Sequence, residues 1–279
     1  MLSLISQDWL NKFIAEGYST IKLTGDVRKA INDVFTVAKP FFDEDLEKKL
    51  LNRLPENGGY RPYGIEYSLT PDSPDQIESF TVSDRTCTTA GGLNSGNAIE
   101  LHQKLLILLE ILESIAETLV TRLAETVSCD SYQGKFEKAL RRWSSLQLNH
   151  SHPAQISDPF INDLHEDGTL ITLLHATGPG FELQTADGGF IPFTTAKDEL
   201  LVIPSVITWL MSGGLIKPLY HQVRTIPNHS DRFALIYLGD LPPELCKPWV
   251  CNEVNTNIDI GELVRVSASL FGLQNYQSE

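Results

Sequence analysis

Apolar side chains recur at three- and four-residue intervals through the first half of the chain, then give way to short runs broken by glycine. Ser6 can cap a helix whose one face carries Trp9, Leu10, Phe13 and Ile14 and which Gly17 closes. Residues 18–23 alternate as a short strand. Asp26 opens a second helix with Val27, Ile31, Val34, Phe35 and Ala38 on one face, and a third helical piece, about residues 43–54, follows Pro40-Phe41-Phe42. Residues 55–74 are polar and rich in glycine and proline, a length typical of functional or mobile loops. The longest element runs from residue 97 to about 128. There Leu101, Leu105, Leu108, Leu112, Ile115, Leu119 and Leu123 keep one stripe through about eight or nine helical turns. That stripe reads as structural backbone.

From Trp143 onward the pattern predicts short strands at 145–149, 170–174, 181–184, 200–203, 206–209, 221–224 and 233–238. Turn signals separate them: Gly178-Pro179-Gly180, Asp187-Gly188-Gly189 and Ser212-Gly213-Gly214. Many short strands at regular spacing predict a sandwich or barrel, here a jelly roll flanked by helices. A last helix is expected from residue 258 or 259 to 271. The expected fold class is therefore α+β with a mainly β core. A helical region, residues 1–142, packs on a β-rich region, residues 143–279, as one structural unit.

Composition narrows the functional classes. The 279 residues are 42% hydrophobic and 21% charged, ordinary for a globular protein with a sizeable core. The formal net charge of −14 argues against a nucleic-acid partner. No apolar run is long enough to span a membrane, and the first residues lack the basic segment of a signal peptide, so a cytoplasmic protein is expected, monomer or homodimer. Cys87, Cys129, Cys246 and Cys251 are scattered without a metal-binding spacing, which fits reduced thiols.

The chemistry lies in Leu164-His165-Glu166-Asp167-Gly168 and in Pro218-Leu219-Tyr220-His221-Gln222-Val223. Two imidazoles and one carboxylate, His165, Asp167 and His221, make the 2-His-1-carboxylate set that non-haem Fe(II) oxygenases use, leaving the opposite face of the metal open. If His165 and Asp167 open the strand that runs on to Leu174, their i, i+2 spacing points both side chains one way. Arg232 begins the apolar strand Arg232-Phe233-Ala234-Leu235-Ile236-Tyr237-Leu238. A buried guanidinium there needs an anion: a carboxylate cosubstrate, or one of the chain's many acidic side chains. Tyr60, Tyr63 and Tyr237 are candidate substrate contacts, with plain packing as the competing account. His102, His175 and His229 are read as structural or surface residues.

These residues resemble the isopenicillin N synthase-like 2-oxoglutarate/Fe(II)-dependent oxygenases. His165-Glu166-Asp167-Gly168-Thr169-Leu170-Ile171-Thr172-Leu173-Leu174 follows the pattern H-x-D-x-x-x-L-T-L-L. The likeness continues in Phe181-Glu182-Leu183-Gln184, Gly188-Gly189-Phe190-Ile191-Pro192-Phe193 and Ser212 to Val223. More loosely, it takes in Glu16-Gly17-Tyr18, Ala38-Lys39-Pro40-Phe41-Phe42, Gly59-Tyr60-Arg61-Pro62 and Glu78-Ser79-Phe80. The resemblance implies a double-stranded β-helix core, Fe(II), O2, and 2-oxoglutarate as cosubstrate held by Arg232 and Asn149. It implies hydroxylation, desaturation or cyclisation of a small molecule in specialised metabolism. Two departures stand out. The family's R-x-S reads Arg232-Phe233-Ala234, and its N-x-Y reads Asn149-His150-Ser151. Thr225, His150 and His152 are candidate replacements. Ala234 keeps open an iron oxidase that works without 2-oxoglutarate, and a non-catalytic binding protein is the remaining alternative.

Overall fold

In the computed structural model, residues 5–55, 57–84, 92–128, 136, 139–152, 158–227 and 230–270 are described. The first helix, α1 (Gln7–Glu16), begins where the Ser6 Oγ accepts the Trp9 N–H at 3.1 Å and ends at Gly17, whose φ of 75° is left-handed. Strand β1 (Ser19–Lys22) follows, then α2 (Gly25–Phe42). Pro40 lies inside α2, and Phe41 and Phe42 stay helical, with both rings buried in the core. The expected third helix shrinks to α3 (Leu46–Leu50), and its C-terminal part becomes β2 (Arg53–Leu54), hydrogen-bonded to β3 (Gly58–Arg61). This hairpin is possible because Gly59, at φ +70°, brings its backbone against the Asn52 carbonyl, where a Cβ would lie 2.2 Å away.

After β4 (Glu78–Ser83) comes α4 (Gly96–Val127), capped by the Ser95 Oγ accepting the Ala98 N–H, with the predicted leucine stripe buried. The remaining strands are β5 (Ser145–Ser151), β6 (Phe160–His165), β7 (Ile171–Ala176), β8 (Phe181–Gln184), β9 (Phe190–Pro192), β10 (Glu199–Pro204), β11 (His221–Arg224) and β12 (Arg232–Gly239). Residues 206–209, expected as a strand, are instead helical in α5 (Val206–Met211), and α6 (Ile260–Leu270) follows β12. The expected end of that last helix, Phe271, lies outside the described residues, as do Cys87, Cys129 and His229.

All strand pairings are antiparallel. They form an eight-stranded sheet, β1-β10-β7-β12-β5-β4-β3-β2, and a four-stranded sheet, β6-β11-β8-β9. One face of the large sheet packs on α1, α2 and α4 through a core that joins Phe13, Val34 and Leu105 to Leu148 and Leu235. Its other face meets the small sheet over a second cluster, including Leu174, Ala176, Phe181, Leu183, Val223 and Ala234. This is a jelly roll, and the candidate site lies inside it. Among the described residues no helix is long and apolar enough to cross a membrane.

Candidate active site

His165 and His221 are register partners across β6 and β11, so their side chains share a face, and their ring centroids stand 4.4 Å apart. His221 also pairs with Leu183, a residue of the inner cluster, which fixes that face as the interior. Asp167 arrives differently from the sequence expectation. His165 closes β6 rather than opening β7, and Asp167 sits in the turn between them, where Gly168 takes φ 66°. The turn, not strand alternation, carries the carboxylate back to the imidazoles. Asp167 Oδ1 lies 3.6 Å from His165 Nε2 and 3.4 Å from His221 Nε2.

The local hydrogen bonds orient these groups. A carbonyl can only accept, so His165 Nδ1 donates to Asp163 O at 2.7 Å and His221 Nδ1 to Leu219 O at 3.3 Å. Each Nε2 is thereby turned towards the carboxylate. Burial pushes the His221 imidazole down to about 4; the neighbouring His165 acts in the same sense, while Asp167 opposes both. His221 is thus neutral near pH 7, as a metal ligand must be. Asp167 Oδ2 is buried with no hydrogen-bond partner among the described residues. A carboxylate with one oxygen beside two inward Nε2 atoms and the other unpaired is a donor set that a divalent cation satisfies. One ligand atom from each residue lies within 4.8 Å of the others, and they are the one such group of three found among the described residues.

The residue between the ligands has its own task, which the spacing of His165 and Asp167 did not reveal. Glu166 Oε2 accepts the Gly168 N–H at 2.9 Å and the Val206 N–H at 3.0 Å. It therefore ties the ligand turn to the N-terminus of α5, where the helix dipole favours a negative charge. Burial raises its carboxyl above the ordinary value, against the pull of those two N–H groups.

Across the interior, Arg232 begins β12 two residues before Ala234, which belongs to the inner cluster, so the two share that face. Arg232 is 6% exposed, and its Nε and Nη2 have no hydrogen-bond partner among the described residues. Burial pulls its guanidinium down to about 10, with no carboxylate among the described residues opposing it, so it is charged at neutral pH. Asn149 lies opposite Ala234 on the same face, its Oδ1 accepting from Gln147 Nε2 at 2.7 Å. Beyond it a polar row continues through Ser79 to Arg61, and Glu66 bridges these groups. The expected stand-ins for the missing hydroxyl do not reach this place. Thr225 donates to Asp158 O, His150 turns to the helical core and Glu78, and His152 pairs with Asp231.

The three candidate tyrosines are not brought together at the site. The Tyr60 hydroxyl donates to Glu78 Oε2 at 2.6 Å, beside Lys49, and that of Tyr237 to Ser144 Oγ at 2.9 Å. Both rings lie in the core between the large sheet and the helices, because their strand positions alternate away from the interior. Tyr63 is half-buried, its hydroxyl accepting the His152 N–H at 3.0 Å near the end of β5. His102 and His175 are buried away from the triad. His175 Nδ1 donates to Glu199 O at 2.8 Å. Cys246 and Cys251 are free thiols.

No protein-family profile and no curated sequence matches the chain. Solved structures do. A putative 2OG-Fe(II) oxygenase family protein from Caulobacter crescentus superposes with a TM-score of 0.72 at 18% identity, over 94% of this chain and 92% of the other. A Neurospora crassa protein in complex with alpha-KG and thymine gives a TM-score of 0.71 at 20% identity, covering 94% and 90% of the two chains. The rice dioxygenase for auxin oxidation gives 0.68 at 16% identity, over 96% and 93%. With helices on one face of the large sheet and the three candidate ligands between the sheets, the chain has the jelly-roll fold of the 2-oxoglutarate/Fe(II) oxygenases.

Proposed function

We propose that the protein is a non-haem Fe(II)- and 2-oxoglutarate-dependent oxygenase that hydroxylates, desaturates or cyclises a small molecule. His165, Asp167 and His221 hold the iron; Arg232, with Asn149 beside it, holds the cosubstrate. The observation that carries this reading is the Arg232 guanidinium, buried on the interior face that looks towards the triad, its Nε and Nη2 without a partner among the described residues. A dicarboxylate would answer both needs, one end at the metal held by His165, Asp167 and His221, the other paired with the Arg232 guanidinium on the large sheet. Iron with a bound 2-oxo acid supplies the activation of O2 that no side chain can provide. The protein's own residues do the rest. The imidazoles present Nε2, Glu166 fixes the ligand turn, and the inner apolar cluster keeps water from the reacting centre.

The small molecules bound or oxidised by the structural neighbours, thymine and auxin, support a small-molecule substrate. Ser79 and Arg61, which continue the polar row beyond Asn149 on the interior face, lie where such a substrate would be recognised. Ala234, where a hydroxyl would aid cosubstrate binding, favours a second reading, an iron oxidase that needs no 2-oxo acid. The test is succinate formation from 2-oxoglutarate by Fe(II)-loaded protein, stimulated by members of a small-molecule panel. Substrate oxidation at full rate without any 2-oxo acid would select the oxidase.

A further inference from the structure

The polar row beyond Asn149 contains one carboxylate that no strand supplies. Glu66 lies in residues 62–77, between β3 and β4, and its side chain returns to the interior face of three strands. Its Oε2 pairs with Arg61 Nη1 of β3 at 3.0 Å and accepts from Gln147 Nε2 of β5 at 2.8 Å. Its Oε1 accepts the Ser79 hydroxyl of β4. Arg61 is engaged as fully. Nε donates to Asn57 O at 2.9 Å, Nη2 to Thr81 Oγ1 at 2.8 Å, and Nη1 also to Gln147 Oε1 at 3.3 Å. Ser79, Thr81 and Gln147 are buried, whereas the Arg61 and Glu66 side chains keep 12% and 13% of their surface exposed. The part of the row that a ligand can touch is therefore the ion pair.

That edge has a definite chemical complement. It sets N–H donors beside acceptor oxygens and carries no net charge. A carboxylate laid against it would find the guanidinium already neutralised and the Glu66 carboxylate alongside. An ammonium would meet the same pair with the signs exchanged. Either ion would lose its hydration without gaining an unpaired counterion. An uncharged group with an acceptor next to a donor loses less on burial and matches both halves of the pair.

We infer that the Arg61–Glu66 pair selects an uncharged substrate by an amide-type edge, a carboxamide or lactam, and that Glu66 is the residue that excludes carboxylates. This rests on the oxygenase reading above and gives its substrate a chemical class.

The experiment uses full-length protein loaded anaerobically with Mn(II) and 2-oxoglutarate, so that nothing turns over. It is titrated calorimetrically with matched probes, phenylacetamide, phenylacetate and phenethylamine, and with the corresponding indole series. The wild type should favour the amide over the acid and the amine. Glu66→Gln leaves the guanidinium without its counterion, so it should strengthen acid binding about tenfold to a hundredfold. Arg61→Gln leaves the carboxylate instead and should strengthen amine binding by a similar factor. This reciprocal variant also carries the test if Glu66→Gln folds poorly. Affinity for 2-oxoglutarate should be unchanged in both, which a general disturbance of the interior would not allow. The inference is overturned by a wild type that prefers the acid, or by variants in which neither the acid nor the amine gains. A wild type that fails to bind 2-oxoglutarate in the presence of Mn(II) would remove the oxygenase reading itself, and this inference with it.

Discussion

At the scale of single residues, the site depends on a few buried polar atoms that have no partner among the described residues. Asp167 Oδ2 and the Nε and Nη2 of Arg232 are each costly in isolation, and each becomes favourable only when a ligand arrives. Removing His221 takes away one of the three candidate ligand atoms while leaving a small-sheet strand whose register depends on backbone pairing. His221→Ala should therefore weaken Fe(II) binding sharply and abolish turnover, with an unchanged far-UV circular dichroism spectrum. Normal iron affinity in that variant would exclude His221 from the centre. Arg232→Gln should raise the apparent KM for 2-oxoglutarate about tenfold to a hundredfold, from the loss of a charged hydrogen bond. The KM for the oxidised substrate should change far less. Equal changes in both constants would mean that the guanidinium serves the fold rather than the cosubstrate.

At the scale of elements, the ligand turn and the helix after β10 work as one piece. Residues 206–209 carry β-favouring side chains, yet they fold as α5, with the Trp209 N–H bonded to the Ser205 carbonyl. The Glu166 carboxylate at the Val206 N–H holds that first turn and the ligand turn together. Glu166→Ala leaves two backbone donors without their acceptor. It should cost about 1–3 kcal/mol in denaturant unfolding, and it should lower metal affinity about tenfold to a hundredfold, as loss of a group that orients ligands does. Glu166→Gln keeps one acceptor oxygen and should fall between the two. Wild-type metal affinity in Glu166→Ala would show that the turn holds its shape without this tie.

At the scale of the whole molecule, the sandwich buries the site and so couples its protonation to folding. His221 ordinarily titrates near 6.5 and is held at about 4 by burial. Between those values the unfolded chain binds a proton that the folded chain excludes, so this contribution to stability is full above pH 6.5 and is lost as pH falls towards 4. Glu113, raised to about 7 by burial, acts in the opposite sense: its contribution is lost as pH rises towards 7. The informative quantity is thus the difference between wild type and His221→Asn. Across pH 6.5 to 4 the metal-free wild type should lose stability relative to the variant, by on the order of 3 kcal/mol. Parallel pH profiles would mean that His221 is protonated in the folded state.

Sequence alone determined what local periodicity and side-chain chemistry can carry. The leucine stripe of α4, the Ser6 and Gly17 ends of α1, and the short strands β8 and β11 follow from spacing and capping, which act within a few residues. The ligand types and the inward Arg232 were legible for a related reason: few chemistries require two imidazoles, a carboxylate and a guanidinium in such a chain. Tertiary structure decided the rest. It kept α2 helical past Pro40 because Phe41 and Phe42 fill the core, and it made β3 from a glycine-rich stretch because Gly59 alone fits against Asn52. It sent Tyr60 and Tyr237 to the helical side of the large sheet, since a residue's face depends on strand register and not on its chemistry. It put Asp167 in a turn rather than on a strand, and it set His221 against His165 through the pairing of two strands distant in sequence.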